Sequence, residues 1–118
     1  MKRLSLMVLL SMPAHGSAQP FSDSMADCAA FYQNTAQYVS DDKVERVMQA
    51  ARQWADAAIE QRQAEGKSAT WDSIWVEIDA QADVWHAQGA KFIMTQEFRD
   101  WAAYCRAFAK DRGIDLGI

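Results

Sequence analysis

Apolar residues recur at helical spacing along this chain, and this periodicity constrains its fold more than any other feature. The positions form four stripes, each of which would lie along one face of a helix. They are Met25, Cys28, Ala29, Tyr32, Ala36 and Val39; Val44, Val47, Met48, Ala51, Ala55, Ala58 and Ile59; Trp71, Ile74, Trp75, Ile78, Ala82 and Trp85; and Phe98, Trp101, Ala102, Cys105 and Ala109. The pattern predicts four helices and an all-α fold.

The ends of the first two helices carry local signals. Ser24 and Asp27 have the spacing of a capping box, which places the start of the first helix at Ser24. Asp42 and Glu45 form a second such pair and predict the start of the second helix. Gly66 follows the second stripe, where a left-handed residue commonly ends a helix.

The later helix ends follow from similar residues. The segment from Ser68 to Thr70 precedes the third stripe and is expected to open the third helix. Lys110 and Arg112 suit the last turn of the fourth helix, where cations interact favourably with the helix dipole. Gly113 is its expected end.

The third and fourth stripes cannot belong to one straight helix. Trp71 and Phe98 are 27 residues apart, which at roughly 100° per residue is about seven and a half turns and puts their stripes on opposite faces. A turn is therefore predicted between them, at Gly89 or at Thr95, and the pattern does not choose between the two. Because the connections are short, we expect an up-down-up-down four-helix bundle.

The first residues of the chain have the pattern of a secretory signal peptide. Two basic residues precede an apolar run at 4–12, which is too short to cross a bilayer because a span takes about 20 residues. Small residues then predict cleavage between Ala18 and Gln19. We therefore expect a signal peptide over residues 1–18 and a single helical domain over 19–118, in the periplasm or secreted.

Cys28 and Cys105 are the two cysteines of the chain. Both lie on apolar stripes, and in an up-down-up-down bundle the start of the first helix and the end of the fourth lie at the same end. An exported protein meets an oxidising environment. These arguments predict a disulfide bond between helices one and four, with a pair of buried free thiols as the alternative.

Charge and composition restrict the partners. Without residues 1–18, the chain keeps 10 of its 12 basic residues and all 16 acidic ones, a net charge of −6. An acidic surface argues against nucleic acid and against anionic membranes, because both are bound through basic patches. The same 100 residues include 19 alanines and one proline, which favours helix over sheet.

Few side chains point to chemistry. Asp79, Asp83 and His86 have the spacing of one helix flank and could begin a metal site or support a general base. The alternative is an exposed polar flank. No serine lies in a nucleophile elbow and no glycine-rich loop could hold a phosphate. Residues 96–112 contain no histidine for a bundle haem. We expect no catalytic, metal or cofactor-binding residues and no enzymatic activity.

Tryptophan is unusually frequent, with five residues in the chain. Trp71, Trp75 and Trp85 are central on their stripe and are expected to fill the core. Trp54 lies at a stripe margin, like Phe31 and Thr35, and is the tryptophan expected at the surface. Such a patch would suit a protein partner, since tryptophan is enriched at binding hot spots.

These features predict an exported, non-catalytic helical domain that acts by binding, with another protein as the expected partner. We expect it to act as a chaperone-like factor, an inhibitor or an immunity-type protein. The alternative is a periplasmic carrier of a small molecule or a metal, which would use the bundle core or the Asp79, Asp83 and His86 flank.

Overall fold

A computed structural model describes residues 20–118, which form four α-helices and no strands. The helices are α1 (Phe21–Thr35), α2 (Asp41–Ala64), α3 (Trp71–His86) and α4 (Gln96–Arg112), with short 3-10 helices at Ala36–Tyr38 and Ala90–Met94. The predicted all-α fold is confirmed for this part of the chain. The predicted signal peptide and the predicted cleavage site between Ala18 and Gln19 lie outside the described residues.

Helix α1 begins earlier than the capping pattern predicted. It starts at Phe21, because the carbonyl of Pro20 already accepts from the N–H groups of Asp23 and Ser24 over 3.1 and 3.3 Å, so the prediction of Ser24 as its N-cap was wrong. The first turn is instead satisfied from a distant part of the chain. The backbone N–H and the hydroxyl of Ser22 donate to the carboxylate of Glu65, over 3.2 and 2.7 Å.

Helix α2 also begins before its predicted cap. Ser40 precedes its first residue, and the Ser40 hydroxyl donates to Oδ1 of Asp42 over 2.6 Å. Asp42 therefore lies inside the first turn, and its partner in the expected capping box, Glu45, forms an ion pair with Arg52 instead. The two residues that were expected to form a capping box, Asp42 and Glu45, therefore bond to Ser40 and to Arg52 instead of to each other.

The remaining helix ends agree with their local signals. Thr70 and Ser73 form a capping box at the start of α3, each side chain accepting from the backbone N–H of the other. At the other end of the chain, α4 stops at Gly113, whose φ of 73° is left-handed and suits glycine.

The turn between α3 and α4 uses both predicted positions. Gly89, with a φ of 76°, begins it, and Thr95 ends it by accepting a hydrogen bond from the N–H of Phe98 over 3.1 Å. The intervening 3-10 helix places Phe92 fully inside the core. The turn is therefore a short buried segment rather than a single hinge.

Helices α1 and α2 pack closely because their facing sides are rich in alanine. The buried alanines of the two helices are Ala26, Ala29, Ala30, Ala50, Ala51, Ala55 and Ala58. Small side chains let two backbones approach, so these helices form the most extensive helix–helix contact of the described residues. The contact between Ser22 and Glu65 places the first turn of α1 beside the end of α2.

Helix α4 is held against the rest mainly by aromatic rings. The ring of Phe31 on α1 lies 5.0 Å from that of Phe98, and Trp85 on α3 lies 5.3 Å from Trp101, between ring centroids. Trp85 also stacks on Phe92 at 5.8 Å. These rings fill the wider space between helices that alanine cannot fill.

The predicted disulfide is present. Cys28 on α1 and Cys105 on α4 are bonded, with their Cα atoms 5.6 Å apart, and both residues are fully buried. The bond therefore joins the first and last helices from inside the core. None of the helices formed by residues 20–118 combines the length and the apolar character that crossing a membrane requires.

Candidate functional site

An open groove of about 640 Å³ lies where the end of α1, the first half of α2 and the start of α3 meet. Its lining combines apolar and aromatic side chains with three long polar ones. The residues are Gln33, Ala36, Gln37, Val44, Met48, Arg52, Trp71 and Trp75. We call it the tryptophan groove.

Two tryptophans on successive turns of α3 form one side of this groove. The rings of Trp71 and Trp75 meet edge to face at 5.5 Å, and Trp71 is 45% exposed. The capping box at Thr70 and Ser73 fixes the helix start, which makes Trp71 the first helical residue. The ring of Trp71 therefore lies at the capped start of α3, against the ring of Trp75.

The sequence pattern assigned the exposed tryptophan to the wrong helix. Trp71 was expected in the core, but it lies at the helix end, where the groove opens to solvent. Trp54, which was expected at the surface, is completely buried and its ring lies 5.1 Å from that of Phe108 on α4. Helix α2 contacts α4 as well as α1, so a residue at the margin of its stripe is enclosed.

The other members of the suggested α1 patch are also not a surface. Phe31 is only 2% exposed and contacts the rings of Tyr32, Trp85 and Phe98. Thr35 is half-buried, and its hydroxyl donates to the carbonyl of Phe31 over 2.7 Å. The proposed contact patch of Trp54, Phe31 and Thr35 is therefore wrong.

The polar side chains at the rim of the groove are held by neighbours. Gln33 Nε2 donates to Oδ1 of Asp79 over 2.7 Å, which ties α1 to α3. Arg52 pairs with Glu45 and donates to the side chain of Gln49 over 3.1 Å. The groove therefore combines an apolar floor with amide and charged groups at its edge.

The α3 flank that suggested a metal site contacts α1 and the 3-10 helix that follows it. The hydroxyl of Tyr38 and Nδ1 of His86 form a hydrogen bond of 3.2 Å, while Asp79 accepts from Gln33. Across residues 20–118, no three His, Cys, Asp or Glu side chains are grouped as metal ligands. Asp79, Asp83 and His86 thus share a flank without forming a ligand set.

A buried arginine forms the most connected polar cluster of the described residues, and the sequence pattern gave no expectation for it. Arg62 is 9% exposed. Its Nη2 donates to Asp23 over 2.9 Å and to Glu77 over 2.8 Å, a second bond joins Nη1 to Glu77, and Nε lies 3.3 Å from the hydroxyl of Ser22. The only signal is position, because Arg62 follows Ala58 by four residues on the buried face of α2.

Hydrogen bonds in and beside this arginine cluster lower the pKa of two carboxyl groups, those of Glu77 and Glu65. Hydrogen bonds from Arg62 hold the pKa of Glu77 below its ordinary value. The Ser22 hydroxyl does the same to Glu65 and lowers its pKa to about 2, with further help from Gln61 and the Ser22 N–H. Both carboxylates are therefore favoured in their charged form, because hydrogen bonds to a carboxylate stabilise that form.

Comparison with known proteins yields no significant match, whether to family models, to curated proteins or to solved structures.

Proposed function

We propose that this protein is an exported, non-catalytic helical domain that binds another protein through the tryptophan groove. The observation that carries the proposal is the 45% exposure of Trp71 beside Trp75 in an open groove. A large ring left in water contributes little to folding, whereas tryptophan is among the residues that contribute most to protein interfaces. The capped helix start orders the backbone at Trp71 before binding, which lowers the entropy lost on binding.

The shape of the groove favours a protein over a small ligand. Small-molecule sites bury about 70–90% of their ligand in a concave pocket, whereas this groove is open to solvent along one side. A side chain or short segment of a larger partner fits an open groove, because the rest of the partner covers it. The second candidate is a small-molecule carrier, since a volume of about 640 Å³ falls in the usual range for ligand pockets.

Export to the periplasm or beyond the cell is part of the proposal. The disulfide between Cys28 and Cys105 supports it, because such bonds persist in oxidising compartments. The pattern of residues 1–18 supports removal of a signal peptide by cleavage between Ala18 and Gln19. Residues 19–118 would then act as one domain.

The direction of the helices is also an inference. We propose that α2 and α4 both run opposite to α1, as helices two and four do in the predicted up-down-up-down bundle. The pairing of Ser22 with Glu65 supports this for α2, and the contacts of Phe31 with Phe98 and of Phe21 with Phe108 support it for α4. Helix α3 touches both halves of α2, through the groove and through Glu77, which supports an oblique placement across the α1–α2 pair.

Binding without catalysis is supported by the state of the reactive groups. Both cysteines are joined to each other, and the His86 ring is hydrogen-bonded to Tyr38. Substrate turnover that is abolished by His86→Ala would contradict the non-catalytic part of the proposal.

The test uses the protein exported from a periplasm-forming host. Native mass spectrometry first reports any bound polypeptide or small molecule, and the protein is then used to isolate partners from periplasmic extract. Binding of the purified partner is measured by calorimetry for wild type, Trp71→Ala and Tyr104→Ala. Tyr104 is the matched control, because it is 44% exposed on α4, away from the groove.

We expect Trp71→Ala to weaken binding by about tenfold or more, the effect of a hot-spot residue, and Tyr104→Ala to change it by less than about twofold. Equal losses for both variants would contradict the groove as the site. A small molecule that co-purifies with the wild type and is lost from Trp71→Ala would support the carrier instead.

A further inference from the structure

Helix α3 carries an unbalanced charge. It contains Asp72, Glu77, Asp79 and Asp83 and no lysine or arginine. Around the helix axis Asp72, Asp79 and Asp83 fall within roughly 40° of one another, since each residue advances by about 100°. All three are exposed. We call these three residues the acidic band.

The acidic band runs between two apolar surfaces. On one side are Trp71 and Trp75 at the tryptophan groove. On the other side are Val76 and Val84, which are 71% and 58% exposed. The exposed part of α3 therefore alternates apolar, acidic and apolar strips around its circumference.

The neighbouring elements do not neutralise this band. Up to Arg52, α2 has three acidic and three basic residues and so no net charge. Arg52 itself is paired with Glu45, and Arg62 is directed at Asp23 and Glu77. The side chain of α1 that reaches the band is Gln33, which donates to Asp79 and leaves its negative charge in place.

We propose that the segment bound at the tryptophan groove is a cationic amphipathic stretch of the partner protein. This inference rests on the proposed function and names the chemistry of its partner. Apolar side chains of the segment would fill the groove, and its lysines or arginines would lie along the acidic band. A cation beside the exposed face of Trp71 adds a cation–π interaction. The net charge of −6 over residues 19–118 would speed the encounter.

The probe is a fluorescently labelled peptide with leucine and lysine at amphipathic helical spacing. Two further peptides replace every lysine with glutamine or with glutamate. Binding to the exported protein is measured by fluorescence anisotropy, at salt concentrations from about 50 to about 500 mM, a range over which the screening length falls from roughly 14 to 4 Å.

The variant pair separates the acidic band from overall charge. Asp72→Asn combined with Asp83→Asn removes two charges from the band. Asp56→Asn combined with Asp111→Asn removes two exposed charges from α2 and α4, so both double variants have the same net charge. Melting temperatures establish that each variant is folded.

We expect the lysine peptide to bind at least about tenfold more tightly than the glutamine peptide, and its affinity to fall with salt. The band variant should lose about tenfold in affinity, and the control variant less than about twofold. Trp71→Ala should weaken all binding. The glutamate peptide should not bind.

Three results would overturn the inference. Equal losses in the two double variants would mean attraction by net charge alone. Equally tight, Trp71-dependent binding of the glutamine peptide would remove the preference for cations while leaving the groove as a protein-binding site. Failure of every peptide to bind would mean that a cationic amphipathic segment is not the ligand. The proposed function would still be tested independently, by the effect of Trp71→Ala on binding of the partner isolated from extract.

Discussion

The Nη2 atom of Arg62 lies 2.9 Å from Oδ1 of Asp23, so the last turn of α2 is joined to the first turn of α1 by a charged hydrogen bond. The same guanidinium also bonds Glu77 and thereby includes α3. Three helices that are separate in sequence thus share one cation. Arg62 is buried, whereas Asp23 and Glu77 are about half exposed. Water can therefore hydrate the two carboxylates if the arginine side chain is removed.

Replacing this arginine should destabilise the protein strongly. We expect Arg62→Ala to lower the free energy of unfolding by about 2–3 kcal/mol, because several charge-assisted hydrogen bonds and the packing of the side chain are lost together. Urea unfolding followed by circular dichroism measures the change. Arg52→Ala is the matched control on the same helix, since its surface pair with Glu45 should contribute less than about 1 kcal/mol. Similar losses in both variants would contradict the special role of Arg62.

The disulfide should contribute a large part of the stability. Cys28 and Cys105 are 77 residues apart, and for a loop of this length the chain-entropy model gives about 4.5 kcal/mol at most. The variant with both cysteines replaced by serine should melt roughly 20 °C or more below the oxidised protein. Wild type reduced under denaturing conditions and then refolded should behave like the variant. A melting temperature unchanged by either treatment would contradict the prediction.

Stability should fall at acid pH in part through Glu65. Hydrogen bonds from Ser22 lower its pKa to about 2 in the folded protein, against about 4.3 in an unfolded chain. A depressed folded pKa stabilises the fold above the unfolded value, and this contribution is lost as the pH falls from about 5 through about 2. Glu65→Gln should therefore be less stable than wild type at pH 7, with a smaller difference at pH 2.

The control for this pH dependence is Glu60→Gln, the same chemical change at an exposed position of α2. Urea unfolding at a series of pH values measures both variants. A difference between wild type and Glu65→Gln that does not depend on pH would show that the pairing with Ser22 acts through shape and not through charge.

Replacing the buried Trp54 should destabilise the protein far more than replacing the exposed Trp71. Trp54→Ala should cost about 3–5 kcal/mol, because a fully buried ring leaves a cavity against Phe108. Trp71→Ala should cost less than about 1 kcal/mol, since its ring is already 45% exposed. Thermal or urea unfolding of the two variants compares them directly. A larger loss for Trp71→Ala would mean that its ring belongs to the core.

Much of the fold could be predicted because its signals are local. The spacing of apolar residues placed four helices, and the phase difference between Trp71 and Phe98 required the turn that is bounded by Gly89 and Thr95. The disulfide could be predicted because Cys28 and Cys105 lie on the apolar stripes of the first and last helices, which the expected bundle brings together at one end. Glycines at helix ends, such as Gly113, were equally clear because a left-handed residue is a local requirement.

The candidate site could be predicted only in part. The stripe pattern predicted that Trp54, at a stripe margin, lies at the surface, whereas the structure buries Trp54 and exposes Trp71. An apolar stripe identifies the face of a helix that packs against the core, but it does not show how many other helices that helix contacts. Helix α2 has neighbours on several sides and α3 ends at a groove, so the burial of each tryptophan depends on helices that are distant in sequence.

The four helices, most of their ends and the bond between Cys28 and Cys105 could be predicted from residue spacing and identity, because helix periodicity and helix-end signals are local. Residue spacing did not predict the start of α1, the burial of Arg62 or the exposure of Trp71, which are apparent in the folded structure. Each of these depends on a partner many residues away, such as Glu65 for Ser22. Long-range contacts of this kind depend on how whole helices pack together, and a local sequence pattern does not predict that packing.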